Sequence, residues 1–285
     1  MDERDRRAAS DRGPRVVVVT GASDGIGEAA ASRFRAQGDH VVVVGRSKEK
    51  TAAVARRLAA PYYVADFADL AQVRDLGAAL VRDLERIDVL ANNAGGIMGA
   101  RHITIDGNEL TTQVNHLAPF LLTNLVMSTL QSSRASVICT SSVAHRRATG
   151  LSLDDLTLEA RYSPFGAYAR AKLMNILFAR ELHRRYHDLG LSAASFHPGI
   201  VRTAFASEYP SAVSGAYRSA TRWLFRSPAR GADTLVWLAS TAPGAQWPSG
   251  EYFKNHRVAR CADLAQSPDL ARALWERSRQ VTGLA

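Results

Sequence analysis

Cysteine and long apolar runs are the features that this sequence most clearly lacks. Its two cysteines, Cys139 and Cys261, lie far apart and form no Cys-x-x-Cys pair. Because closely spaced thiols are typical of metal sites and disulfide frameworks, we expect neither here, and a reducing cytoplasm is the expected location. The longest apolar runs, such as residues 16–19 and 41–44, are far below the roughly 18 residues of a membrane span. We therefore expect no integral membrane segment.

The N-terminus also lacks the apolar core of a signal peptide, since its first 14 residues are mostly charged or small. We interpret residues 1–14 as a disordered tail. Residues 15–285 suffice for one large α/β domain and are few for two independent domains. Apolar residues make up 46% of the chain and charged residues 22%, which is close to the average for globular proteins. A fibrous or disordered protein is therefore not indicated.

Lysine is scarce, although the chain is basic overall. The net charge is +9, from 36 lysines and arginines against 27 acidic residues, and arginine supplies most of the positive charge. An excess of positive charge favours nucleic acid or an anionic surface as a partner. Here the basic residues are dispersed and do not alternate with aromatic residues along one stripe. We therefore assign most of them to solvated helix faces and expect no nucleic-acid partner.

Apolar β-branched runs alternate with helical patterns from Val16 to about Phe196. This alternation is typical of an α/β fold with a single Rossmann-type doubly wound parallel sheet and helices on both faces. About seven strands are predicted, near residues 15–20, 40–45, 61–65, 87–91, 135–141, 191–197 and 250–254. Helices are predicted near residues 25–37, 48–59, 69–85, 104–130, 165–188, 229–240 and 268–281.

Residues 200–228 interrupt this alternation with aromatic side chains among serine, alanine and glycine. Ligands bind beyond the carboxyl ends of strands in such sheets, so the segment is a candidate substrate lid. A pair of short amphipathic helices packed on the core is the second interpretation. Both stay open, and they are compatible.

A glycine-rich turn over residues 20–27 follows the first predicted strand and opens the first helix. In this context, Gly21 would permit a tight turn, and Gly25 and Gly27 would let a pyrophosphate approach the positive end of the helix. We therefore predict a dinucleotide site that includes Gly21, Ser23, Asp24, Gly25, Ile26 and Gly27. The carboxylate of Asp24 would repel the phosphates unless it points to solvent.

Arg46, at the end of the second predicted strand, indicates which dinucleotide binds. An NAD-selective site usually presents a carboxylate there to the ribose hydroxyl. A guanidinium instead pairs with a 2′-phosphate through two hydrogen bonds. The sequence therefore favours NADP(H) over NAD(H), and a plain surface charge is the alternative interpretation of Arg46.

Two further segments follow predicted strands and point to the same pocket. Asp66 could accept a hydrogen bond from the adenine amino group, or it could cap a helix. Small residues after the fourth strand would let the chain pass close to the ribose and nicotinamide, although an ordinary turn is the alternative. The predicted contacts there are Asn93, Ala94 and Gly95.

Tyr168 and Lys172 are four residues apart on a predicted helix and therefore share one face. An ammonium beside a phenol favours its ionised form, which makes the tyrosine a usable acid and base. This pair alone carries little weight, because both residues are common on amphipathic helices. Its weight comes from the glycine-rich turn upstream.

Taken in order, these motifs resemble the short-chain dehydrogenase/reductase family in its single-domain form. The resemblance rests on residues 20–27, 92–95, Asn115, Ser142, Tyr168 with Lys172, and 197–199. It is closest to the retinol-dehydrogenase-like branch, at residues 113–117, 141–145, 153–156, 162–164 and 250–253. The apolar N-terminal anchor of that branch's membrane-bound members has no counterpart in residues 1–14.

The resemblance implies a catalytic tetrad of Asn115, Ser142, Tyr168 and Lys172. Tyr168 would exchange the proton and Lys172 would lower its pKa and hold the nicotinamide ribose. Ser142, with Ser141 as the second choice, would bond the substrate oxygen, and Asn115 would anchor a water chain. We interpret His116 and His145 as supporting or surface residues and not as proton shuttles, because the Tyr168 and Lys172 pair already supplies the acid and base. The nicotinamide would further contact Pro198, Gly199, Val201 and Thr203.

The substrate implied is a small lipophilic aldehyde, ketone or alcohol, and the implied assembly is a homodimer or homotetramer paired through helices 104–130 and 165–188. Three other functions stay open at this point: an NADPH-binding regulator without turnover, an NAD-preferring dehydrogenase, and a nucleotide-sugar epimerase or dehydratase. The intact tetrad opposes the first, and the short chain opposes the last.

Overall fold

The structure, a computed structural model, describes residues 13–148, 150–159, 162–201 and 226–284. The strands are β1 Val16–Thr20, β2 His40–Gly45, β3 Tyr62–Val64, β4 Val89–Asn92, β5 Ser136–Thr140, β6 Ser192–His197, β7 Tyr252–Lys254 and β8 Arg257–Val258. The helices are α1 Gly25–Ala36, α2 Lys48–Leu58, α3 Leu70–Asp83, α4 Leu110–Thr112, α5 Ala118–Leu125, α6 Met127–Ser132, α7 Pro164–Tyr186, α8 Pro228–Ser240 and α9 Pro268–Val281. Most of the predicted tail and of the predicted lid lies outside the described residues.

The strands form one sheet in the order β3-β2-β1-β4-β5-β6-β7-β8. Neighbours from β3 to β7 pair in parallel, and only β8 runs antiparallel. The chain builds outward from β1 to β3 and then returns to β4 on the other side of β1. A crevice opens where the order reverses, at the carboxyl ends of β1 and β4. The predicted doubly wound parallel sheet is confirmed.

The central strands are buried on both faces because helices cover both sides of the sheet. Val17 and Val19 of β1 pack with Phe34 of α1, whereas Val18 packs on the opposite side with Leu70 of α3 and with Phe120. An uninterrupted valine run suits such a strand, since every side chain enters one core or the other. Truncating Phe34 to alanine would cost about 3–5 kcal/mol of folding free energy.

The predicted count of about seven strands misses β8, which is two residues long. Asn255 and His256 connect β7 to β8 with φ angles of 51° and 63°. Two successive residues in the left-handed region form the tight turn that matches the twist of a hairpin. The sequence hid this hairpin because glycine, the usual second residue of such a turn, is replaced by histidine.

The predicted helix over 104–130 is also wrong in its extent. Residues 104–108 form a turn in which Gly107 N–H donates to the Thr104 carbonyl at 3.0 Å. The helix starts after Glu109, whose buried carboxylate accepts the backbone N–H groups of Thr111 and Thr112, each at 2.8 Å. A π-helical turn, Gln113–Leu117, then widens the helix before α5 begins.

Helix α9 packs against α5 and α7, the two helices predicted to pair subunits. The Trp275 ring lies 5.0 Å from the Phe120 ring and 5.8 Å from the Phe178 ring, between ring centres. The Arg185 guanidinium lies over the Trp275 ring, 4.6 Å from its centre. The α9 helix therefore covers part of that surface, and subunit pairing stays a prediction. Among the helices of the described segments, none combines the length and the apolar character needed to cross a bilayer.

Candidate active site

A cleft of about 680 Å³ opens at the carboxyl ends of the parallel strands. A volume of this size is typical of small-molecule and cofactor sites. Most of the predicted site residues line it, namely Gly21, Ser23, Asp24, Gly25, Ile26, Arg46, Asp66, Asn93, Ala94, Gly95, Ser142, Tyr168, Lys172, Pro198, Gly199 and Val201. Gly27 and Asn115 lie behind its wall, and Thr203 lies outside the described residues.

Thr20 joins the two turns that form the centre of the cleft. Its hydroxyl accepts the backbone N–H groups of Asn93 and Ala94, each at 3.0 Å. The Asn93 amide in turn donates to the Thr20 carbonyl at 2.9 Å. Gly21, with φ of 65°, is so close that an added Cβ would lie 2.8 Å from the Ala94 Cα. Thr20 was not among the predicted cofactor contacts, although it is the first residue of the glycine-rich turn.

Gly27 and Asp24 shape the start of α1 in different ways. A Cβ on Gly27 would lie 2.2 Å from the Gly21 carbonyl oxygen, so glycine is required for the helix to pack against its own turn. The Asp24 carboxylate is exposed and caps α1 by accepting the Gly25 N–H at 2.6 Å. Because Asp24 also lines the cleft, its carboxylate places a negative charge beside the positive end of the helix.

Cationic side chains gather at the cleft end beyond β2. Arg46 is exposed and lines the cleft, and Lys50 of α2 lines it as well. Ser47 between them caps α2 by accepting the Lys50 N–H at 3.4 Å. Lys50 was not predicted, because the sequence does not show which side of α2 faces the cleft.

Asp66 lines the same end of the cleft and does not cap a helix. Its carboxylate accepts the Ala68 N–H at 3.0 Å in a local turn, while the cap of α3 is Asp69, which accepts the Ala71 N–H at 2.9 Å. The helix-cap interpretation of Asp66 is therefore wrong. Among the described hydrogen bonds, the Asp66 carboxylate accepts no second group of the protein. It can therefore still accept a hydrogen bond from a molecule in the cleft.

Lys172 is the buried cation of the opposite end. Its ammonium donates to the Thr140 carbonyl at 3.1 Å and lies 5.3 Å from the centre of the Tyr168 ring. Only 2% of Lys172 is exposed, and this burial lowers its pKa to about 7, against a smaller opposing effect of Cys139. Lys172 therefore changes its charge near neutral pH beside the tyrosine.

The two adjacent serines point in different directions. Ser142 lines the cleft and caps a short 3-10 helix, Val143–Arg147, by accepting the Ala144 N–H at 3.2 Å. Ser141 is fully buried and donates to the Lys172 carbonyl at 2.7 Å. The geometry therefore favours Ser142 over Ser141 as the group that can reach a substrate oxygen.

Two histidines hold the segment around Ser142. His145 contacts the Ser142 carbonyl through Nδ1 at 2.5 Å and accepts the Ala262 N–H through Nε2 at 3.1 Å. His197 lines the cleft and accepts the Val143 N–H at 3.4 Å. Burial, helped by Lys254 and other nearby cations, lowers the pKa of His197 to about 4, so the ring is neutral at pH 7. His197 was not among the predicted contacts. Of the motif at residues 197–199, only Pro198 and Gly199 were predicted to contact the nicotinamide.

Asn115 sits in the π-helical turn and fixes the loop after β4. Its amide donates to the Gly96 and Thr111 carbonyls at 2.9 and 2.8 Å and accepts the Gly96 N–H at 3.1 Å. An added Cβ on Gly95 would lie 2.4 Å from the Asn115 amide oxygen and 3.3 Å from the Lys172 ammonium. Asn115 thus braces the wall beside Lys172, and its predicted water chain stays a prediction.

The wall beyond Ser142 and Tyr168 is largely apolar. Phe165 and Ile200 are 46% and 54% exposed, which is unusual for such side chains, and both line the cleft. They share this wall with Ile97, Met98, Val143 and Arg147. An apolar wall with one cation can hold a lipophilic molecule against the reactive groups.

The parallel sheet and the cleft at its switch point define the class of Rossmann-type dinucleotide-binding proteins. The sequence model of the family described as short chain dehydrogenase matches residues 15–213. The chain belongs to this family of oxidoreductases, which act on CH–OH and C=O groups, and to its retinol-dehydrogenase-like branch.

Three similar proteins illustrate the relationship. A Streptomyces protein named as a candidate daunorubicin C-13 ketoreductase is 42% identical over 94% of this chain and 93% of its own. Human retinol dehydrogenase 13 is 34% identical over 95% of this chain and 85% of its own. A candidate short-chain dehydrogenase from Shigella flexneri, solved in complex with NADP, is 26% identical with a TM-score of 0.65, over 85% of this chain and 96% of its own.

Proposed function

We propose that this protein is an NADP(H)-dependent oxidoreductase that interconverts a lipophilic aldehyde or ketone with its alcohol. The convergence of Ser142, Tyr168 and buried Lys172 on one cleft with the glycine-rich turn carries this proposal. A regulator without turnover has no use for a buried lysine beside a tyrosine, because burying an ammonium costs free energy.

The bound nicotinamide would supply or accept a hydride, and the protein would handle the proton. The Tyr168 hydroxyl donates its proton to the carbonyl oxygen of the substrate and recovers one from solvent. Lys172, when charged, stabilises the resulting phenolate from 5.3 Å beneath the ring centre. The Ser142 hydroxyl donates to the same substrate oxygen and stabilises the charge that develops there.

Arg46 supports NADP(H) as the cofactor. The guanidinium lies at the end of β2, where the adenosine ribose of a dinucleotide is held in this fold, and Lys50 adds a second cation on the same wall. The related Shigella protein was solved with NADP. The glycine-rich turn, Asn93, Ala94, Gly95 and the residues from Pro198 to Thr203 are proposed to complete the site.

The apolar wall supports a lipophilic substrate. Phe165 and Ile200 are about half exposed and both line the cleft, so a bound apolar molecule could cover part of their surface. The names of the relatives point in the same direction, since they refer to retinol and to the C-13 ketone of daunorubicin.

Some expectations from the sequence remain part of this proposal. Residues 15–285 would act as one domain, with a lid near 200–228 that closes over the apolar wall. Location in a reducing cytoplasm is supported by the buried free thiols of Cys139 and Cys261. A homodimer or homotetramer would have to form around the α9 helix or on another surface.

The first experiment is a fluorescence titration of the purified protein with NADPH and NADH, followed by a panel of lipophilic aldehydes and ketones. We expect tighter binding of NADPH and its oxidation by at least one carbonyl. Binding of NADPH with no oxidation across a broad panel would favour a regulator. Binding of neither nucleotide would contradict the cofactor assignment.

A further inference from the structure

A buried chain of hydrogen bonds leads from α9 to the lysine of the cleft. The Ser278 hydroxyl lies 3.0 Å from His116 Nε2, and His116 Nδ1 lies 3.3 Å from the Asn175 amide oxygen. The Asn175 amide nitrogen donates to the Thr140 carbonyl at 3.1 Å. The Lys172 ammonium donates to that same carbonyl, also at 3.1 Å. Ser278 and His116 are fully buried.

The contacts determine which nitrogen of His116 carries the proton. Because the Asn175 amide nitrogen is bound to a carbonyl, its oxygen faces His116, and an oxygen can only accept. Nδ1 must therefore donate. Nε2 of the neutral ring is then an acceptor for the Ser278 hydroxyl. Burial lowers the pKa of His116 to about 4, so the ring stays neutral at pH 7.

We propose that His116 and Asn175 are positioning residues for Lys172: the N–H of His116 fixes the Asn175 amide, whose nitrogen shares the Thr140 carbonyl with the lysine. This rests on the proposed role of Lys172. A carbonyl that already accepts one hydrogen bond stabilises an ammonium less strongly than a free one does. The pair thereby anchors Lys172 beside Tyr168 and also favours its neutral form.

Among the residues that the structure describes, few other charged or titratable groups lie against this chain of hydrogen bonds. Lys172 faces Tyr168 on its own helix and Cys139 on β5, and the pKa of the Cys139 thiol is raised to about 12 by burial, so it is uncharged at neutral pH. His116 shares a small cavity with Glu181 of α7, which is paired with Arg184 and Arg185.

Three variants separate this role from simple packing of a core histidine. His116→Leu removes the N–H that fixes the Asn175 amide, so that the amide nitrogen can turn away from the carbonyl that it shares with the lysine. Asn175→Leu removes the competing donor. Both changes favour the charged lysine, so its pKa should rise. His116→Asn keeps an amide N–H near the position of Nδ1 and is the matched conservative variant.

The readout is the ¹³Cε resonance of Lys172 as a function of pH, which needs no turnover. The chain has four lysines, Lys48, Lys50, Lys172 and Lys254, and Lys172→Arg assigns the signal. We expect the midpoint of Lys172 to rise by about 1 pH unit in the two leucine variants and by less than about 0.3 in His116→Asn. Folded leucine variants with the wild-type midpoint would overturn the proposal.

A measurement on the unchanged protein covers the case in which the leucine variants do not fold. Histidine ¹⁵N shifts distinguish the two neutral tautomers, and His116→Asn assigns the signals. We expect the proton on Nδ1, and a proton on Nε2 would overturn the proposal. Activity is tested separately. If the wild-type protein oxidised NADPH with none of the tested carbonyls, the proposed function would be contradicted, and both NMR results would still be valid.

Discussion

The two ends of the cleft differ in how far their charged groups are exposed to water. Arg46 and Lys50 are exposed at the end beyond β2, whereas Lys172 and His197 are 2% and 5% exposed at the other end. Exposed charges keep their hydration and are screened by salt. Buried ones are driven toward their neutral forms, and the pKa values of both buried groups are lowered accordingly.

Under the proposed function, this difference gives each end of the cleft a different task. Solvated cations can select a nucleotide phosphate at little cost to the stability of the fold. A buried lysine costs stability but gives a group whose charge changes near pH 7, which suits proton transfer. Changes at the buried end should therefore alter reaction rate and folding, and changes at the exposed end should alter only nucleotide preference.

The largest effect is expected for Tyr168→Phe. The variant removes the proton donor and leaves the ring packing, so turnover should fall roughly 10² to 10⁴-fold while NADPH binding is kept. Steady-state kinetics with the best carbonyl and a fluorescence titration measure the two quantities. A variant with full turnover would exclude Tyr168 as the acid and base.

Ser142→Ala should lower turnover roughly 10² to 10³-fold, because it removes a donor to the developing oxyanion. Ser141→Ala is the matched control next to it. Among the described residues, the buried Ser141 hydroxyl bonds the Lys172 carbonyl alone, so its loss should reduce stability by about 1–3 kcal/mol with a small effect on turnover. If Ser141→Ala were the inactive variant instead, the assignment of the two serines would be reversed.

Acid should destabilise the protein through its buried neutral histidines. His116 and His197 have a pKa of about 4 in the folded state, against 6.5 for an ordinary histidine. The unfolded chain therefore binds more protons between pH 6.5 and 4. Stability is full above pH 6.5 and falls as the pH decreases toward 4, by up to about 3 kcal/mol for each histidine.

Urea unfolding at a series of pH values measures this loss. His116→Asn cannot take up a proton, so its unfolding free energy should decrease less steeply between pH 6.5 and 4 than that of the wild type. Equal slopes for the two proteins would show that His116 is not buried in its neutral form.

The sequence predicted the strands of the sheet centre closely, and local pattern explains why. β1, β2 and β5 agree with their predicted bounds within one residue, because a buried parallel strand is a run rich in β-branched apolar residues. The π-helical turn at Gln113–Leu117 escaped prediction. Its residues continue a helical pattern, and the widening coincides with hydrogen bonds from Asn115 to Gly96, a residue 19 positions away.

The same reasoning applies to the site. Tyr168 was found because its spacing from Lys172 is informative, and Ser142 was found through the family resemblance. Lys50 and His197 were not, because lining a cleft depends on how α2 and β6 are placed relative to other elements. Sequence pattern thus identifies the reactive groups better than it identifies the groups that surround them.

The smallest effect, at the exposed end, tests the comparison most directly. Arg46→Ala should weaken NADPH binding about 10-fold and NADH binding little, since only NADPH carries the 2′-phosphate that the guanidinium would bind. Lys48→Ala is the matched control, because Lys48 is exposed on the same segment but does not line the cleft. The Arg46 effect should shrink as ionic strength rises, because exposed charges are screened. Equal losses for NADPH and NADH, or an effect that salt leaves unchanged, would mean that Arg46 does not act as a solvated partner of the 2′-phosphate.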